Sequence, residues 1–82
     1  MREVTFSKTA DGKVNVVINK ATVKGTELNL TQIKAAKKAY QWSPAVEQMY
    51  LNRVKQRLSD DGFQASEVNV VLAKYKSEIQ SA

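Results

Sequence analysis

The stretch KVNVVINKATVKGTELNLTQIKAAKKAY (residues 13–40) contains the change of hydrophobic period that decides the fold. Before Thr31, apolar residues alternate with polar ones: Val14, Val16 and Ile18 within the stretch, Val4 and Phe6 upstream of it. A strand with one buried face requires that alternation. After Thr31 the apolar residues recur at about 3.6 positions, the spacing of a helix with one buried stripe. Strands come first and helices follow, so the expected class is α+β: an N-terminal β-hairpin packed against three C-terminal helices.

Toward the N-terminus, Thr9-Ala10-Asp11-Gly12 separates the two alternating runs, and its Asp-Gly pair offers the positive φ that a tight hairpin needs. The predicted hairpin covers residues 2–8 and 13–20, with Val4, Phe6, Val14, Val16 and Ile18 toward the core. Residues 21–30 read as a short third strand or an ordered connection, with a turn at Gly25 and Val23, Leu28 and Leu30 as apolar contributions.

Toward the C-terminus, the first helix is expected at about 32–41 behind a Thr31 N-cap. Ile33, Ala36, Ala39 and Tyr40 then share its inner arc, and Lys34, Lys37, Lys38 and Gln41 lie opposite. Ser43-Pro44 starts the second helix, Ser43 as cap and Pro44 at the first position, where no N–H is missed. That helix, about 44–59, carries Val46, Tyr50, Val54 and Leu58 inward. Gly62 stops it, with Phe63 folding back onto its last turn. The third helix, about 67–80 behind a Ser66 cap, has the inner stripe Val68, Val71, Leu72, Tyr75 and Ile79. Residues 1–82 hold no repeat or linker and are expected to form one domain, residues 1–30 supplying the hairpin region and 31–82 the helices.

The 82 residues include no histidine and no cysteine. The chain thus lacks the side chain that titrates nearest neutrality, the thiolate nucleophile and the two commonest transition-metal ligands. Its three glycines are isolated and build no phosphate-binding loop. Asp60-Asp61, neighbours at a helix end, point apart and suit neither a glycosidase pair nor a metal site. The expectation is a protein without enzymatic activity, cofactor or metal. No apolar run approaches the roughly 18 residues of a membrane span, and Met1–Phe6 has no apolar leader stretch, so a cytoplasmic location is expected.

The formal charge is +5, and the excess lies in residues 20–57, which hold eight basic and two acidic side chains. An acidic partner is drawn there. Within that segment, Met49, Arg53 and Arg57 follow one another at i, i+4 and i+8 along the second helix. The plain explanation is two arginine stems lying on the core edge with their heads in water. The functional one is a contact strip, since Met and Arg are both enriched at interfaces. Trp42, at the junction of the first two helices, is the aromatic expected to be exposed and to anchor such a contact. The leading expectation is therefore a small regulatory protein, an inhibitor, antagonist or adaptor. Trp42, Met49, Arg53 and Arg57 would bind an acidic, partly apolar surface of another protein.

The alternative is nucleic-acid binding through Lys20, Lys24, Lys34, Lys37 and Lys38, although lysines also cover any solvated helix face. A helix-turn-helix reading of the last two helices is disfavoured by a seven-residue connection (60–66) and by a third helix that starts with Glu67 and carries no arginine. Val70, Ala73 and Ser77 form a second, weakly apolar face on that helix, a place for a second copy of the chain to pack.

Overall fold

The computed structural model describes residues 3–82. Its order is β1 (Val4–Lys8), β2 (Lys13–Ile18), β3 (Ala21–Thr22), β4 (Leu28–Asn29), α1 (Leu30–Lys38), α2 (Pro44–Asp60) and α3 (Ala65–Ser81). The expected α+β architecture is present, a small antiparallel sheet followed by three helices. Among the described residues no helix is long and apolar enough to cross a membrane.

β2 is the centre of the sheet. β1 pairs with it along one side, from Val4 opposite Ile18 to Lys8 opposite Val14. The hairpin turns through a type I geometry: Gly12 N–H donates to the Thr9 carbonyl at 3.1 Å, and Gly12 then adopts φ +85°. Three-residue hairpin loops of this kind place a left-handed residue last, and glycine takes that conformation without penalty. The other side of β2 is shared by two short strands, β3 at its end (Ile18 opposite Ala21) and β4 at its start (Val14 opposite Leu28). Residues 21–30 thus supply both proposed alternatives, two fragments of strand joined by an ordered excursion. Asn19 and Lys20 turn the chain from β2 to β3 with both φ values positive.

Val14, Val16 and Ile18 are buried, with Val4 and Phe6 half-buried beside them, so the predicted inward face of the hairpin is correct. The helices cover this face. Ile33 of α1, Leu51, Val54 and Leu58 of α2, and Val68, Val71, Tyr75 and Ile79 of α3 complete the core.

Several local expectations change. Asn29, not Thr31, caps α1: its side chain accepts from the Gln32 N–H at 3.0 Å. The Thr31 hydroxyl is engaged elsewhere, donating to the Asp11 carbonyl at 2.7 Å and tying the hairpin turn to α1. α1 stops at Lys38, so Tyr40 leaves the helical wheel and its side chain is 96% exposed rather than facing the core. α3 begins earlier than Ser66 suggested, with Gln64 as N-cap and its N–H donating to Glu67 Oε1 at 2.9 Å. The α2–α3 connection is therefore four residues, Asp61–Gln64, not seven. The inner stripe of α2 is rotated, with Leu51 buried and Val46 and Tyr50 only half-buried.

Candidate functional site: the groove between α1 and α2

Ser43 and Pro44 start α2 as the sequence predicts, Ser43 Oγ accepting from the Val46 N–H at 3.3 Å. α1 rests mainly on α3 and β2. The first turns of α2 consequently stand away from α1 and leave an open groove of about 460 Å³. Ala35, Ala36 and Ala39 form its α1 wall, and Val46 and Tyr50 of α2, with Trp42 just before that helix, form the other. The rotation of the α2 stripe explains this wall, because Val46 and Tyr50 are turned off the core axis and toward α1.

The sequence predicts Trp42 as an exposed anchor. It is half-buried, and its ring lies 5.5 Å from that of Tyr50 at a 38° tilt. Such a tilted pair is a favourable aromatic arrangement and makes this wall of the groove aromatic. Tyr50 also borders a second depression, of about 200 Å³, with Met49 and Arg53. Through Tyr50 the groove and the Met49/Arg53 strip become one surface. Met49 is 62% exposed, and Arg53 is exposed with no ion pair among the described residues.

Arg57 stands apart from this surface. Its Nε donates to Asp61 Oδ2 at 3.2 Å, and its aliphatic stem lies where a side chain at Gly25 would extend. The stem packs along the 23–27 excursion while the head is already paired. Three of the four residues singled out, Trp42, Met49 and Arg53, are brought together, and the fourth serves the join between α2 and the sheet.

The lysine set is dispersed. Lys20 lies in the turn that leaves the C-terminal end of β2. Lys34 borders a small depression with Gly12, at the opposite end of that strand. Six residues of strand separate those ends by roughly 20 Å. Lys37 is directed inward, and its ammonium donates to the Ile79 carbonyl and to the Ala82 oxygen at 3.3 Å. It closes the C-terminal turn of α3, where a cation is electrostatically favoured. Lys24 and Lys38 are exposed. On α3, Val70, Ala73 and Ser77 are all exposed on one face, Val70 at 45%.

Sequence reasoning missed how α1 ends beside the site. Tyr40 follows the last turn of α1, next to the groove residues Ala39 and Gln41. Its N–H donates to Lys37 and that of Gln41 to Ala36, at 3.2 and 2.8 Å. These two bonds make the helix-closing motif that puts the intervening residue in the left-handed conformation, here Tyr40 at φ +59°. A helical wheel assumes the helix continues, and no residue near Tyr40 signalled that it does not.

Comparison of the chain with protein-family models, with curated proteins and with solved structures finds no match.

Proposed function

We propose that this chain is a non-enzymatic, cytoplasmic regulatory protein that acts by occupying an acidic, partly apolar surface of another protein. The supporting observation is the continuity of the α1–α2 groove with Met49 and Arg53 through Tyr50. Aromatic rings, an exposed methionine and an unpaired arginine are the side chains that dominate protein interfaces, and here they form one patch. Of the six basic side chains in residues 30–59, Lys34, Lys38, Arg53 and Lys55 are exposed and outside any ion pair among the described residues, and the one acid there, Glu47, has a buried carboxylate oxygen. The charge surrounding the patch therefore favours an acidic partner.

The test compares the wild-type chain with a Met49→Ala, Arg53→Glu double variant, each immobilised and exposed to an extract of the native host. Circular dichroism establishes that both are folded. A protein held by the wild type, lost from the variant and rebound in purified form supports this function. Equal retention by both removes the patch from the interface. Retention of nucleic acid, with affinity falling steeply as salt is added, points to the lysine-based alternative instead.

A further inference from the structure

The groove also carries information about the shape of what enters it. Both walls are helices, whose mid-helix N–H and C=O groups are already bonded within each helix. An extended peptide laid between them would bury its own backbone polar groups without partners. A helical segment brings its backbone bonds with it. Ala35, Ala36 and Ala39 keep the α1 wall low at its C-terminal half, which lets another helix approach closely. From Gln32 to Ala39 the wall is about 12 Å long at 1.5 Å per residue, or about two turns of an occupant. Two turns present three or four apolar anchors, at i, i+3 or i+4, and i+7.

Tyr40 supplies the second observation. The same closing motif ends α2, where Gly62 holds the left-handed position at φ +86°. In α1 that position holds a tyrosine, for which the conformation is costly, and the ring is 96% exposed. The left-handed backbone turns this ring out of the helix wheel, where it gains almost nothing from the protein's own core. Charge then sets the character of the occupant. No carboxylate lines the groove or the adjoining depression, and Arg53 is their one charged lining residue.

Resting on the binding function proposed above, we propose that the α1–α2 groove receives about two turns of an amphipathic helix with an aliphatic face and acidic flanks, gripped at one end by Tyr40. Trp42, the sole tryptophan of the chain, lies in the groove and reports on its occupation. The experiment titrates the protein with two stapled helical peptides that share leucines at i, i+3, i+4 and i+7. One has glutamate flanks and the other lysine flanks. Trp42 emission and its quenching by acrylamide are followed.

The expected result is a blue shift and reduced quenching with the glutamate peptide, at an affinity at least about tenfold above that of the lysine peptide. The Tyr40→Gly variant is expected to bind the glutamate peptide at least about tenfold more weakly while its melting temperature stays the same or rises. No response to the glutamate peptide, equal affinity for both, or undiminished binding by Tyr40→Gly overturns the proposal. So does a concentration-dependent shift of Trp42 without peptide, which assigns the groove to a second copy. If peptide binding fails while the host partner is still lost from the Met49/Arg53 variant, the helical occupant is wrong and the wider binding function stands.

Discussion

The hydroxyl of Tyr75 lies 2.5 Å from the carbonyl oxygen of Thr26, joining α3 to the irregular segment between β3 and β4. The Val14 carbonyl is 3.3 Å away on the other side. Tyr75 is fully buried, its ring 6.2 Å from that of Phe6, and Thr26 is fully buried as well. Thr26 in turn donates its own hydroxyl to the Val23 carbonyl at 2.7 Å. Without these bonds the excursion would bury backbone carbonyls that no strand partner satisfies. Tyr75 is thus the means by which α3 holds the sheet edge in shape, and through Gly25 the same segment meets the stem of Arg57 on α2.

Replacing Tyr75 by Phe keeps the ring and removes the donor. Thr26 loses its partner in a dry environment, and the expected loss of stability is about 1–3 kcal/mol. Urea unfolding followed by circular dichroism measures it. A loss below a few tenths of a kcal/mol would mean that water reaches the carbonyl.

Burial pushes the Tyr75 phenol up to about 12 from its ordinary value near 10. The folded state therefore favours the protonated phenol. This contribution is fully present below pH 10 and is lost as pH rises from about 10 to about 12, amounting to about 2–3 kcal/mol. Stability measured across that range should fall in the wild type and fall less in Tyr75→Phe. Parallel curves for the two proteins would contradict this origin of alkaline sensitivity.

At Gly12 two constraints coincide. The backbone is left-handed, and a Cβ there would sit 2.6 Å from Thr31 Oγ1, the hydroxyl that ties the turn to α1. Gly12→Ala should cost more than the about 1–2 kcal/mol of the backbone conformation alone. The double variant Gly12→Ala, Thr31→Ala removes the clash together with the hydroxyl. If the clash matters, the glycine substitution costs less in that background, as a double-mutant cycle shows.

The turn Asn19-Lys20 has the opposite character. Both residues are left-handed in a two-residue hairpin, the geometry for which Asn-Gly is preferred. Lys20→Gly should raise stability by about 0.5–1 kcal/mol, read as an upward shift of the melting temperature. A drop would show that the lysine side chain contributes contacts of its own.

Lys37 separates structural from surface lysines. Lys37→Met removes the donor to the Ile79 and Ala82 oxygens and should cost about 0.5–1.5 kcal/mol, whereas Lys38→Met on the exposed side should be near neutral. Equal effects would argue that the closing contact on α3 contributes little in solution.

The amino-acid sequence by itself determined the order of elements, the inward face of β2, the start of α2 at Ser43-Pro44 and its end at Gly62. Each rests on local chemistry: strand alternation, a proline that lacks an N–H, a glycine free to turn left-handed. It also singled out Trp42, Met49 and Arg53, with Arg57, as one contact surface, though not the groove or the Tyr50 ring that joins it to Met49 and Arg53. What only the tertiary structure decided depends on partners distant along the chain. Asn29 caps α1, and Thr31, already inside the helix, gives its hydroxyl to the carbonyl of Asp11, twenty positions away. Lys37 is engaged because α3 ends beside it, and the stem of Arg57 is covered because the excursion at Gly25 passes along it. The groove exists because α1 leans more on α3 and β2 than on α2. Periodicity specifies which side of a helix is apolar, but the choice of neighbour to bury it against belongs to the packing of the whole.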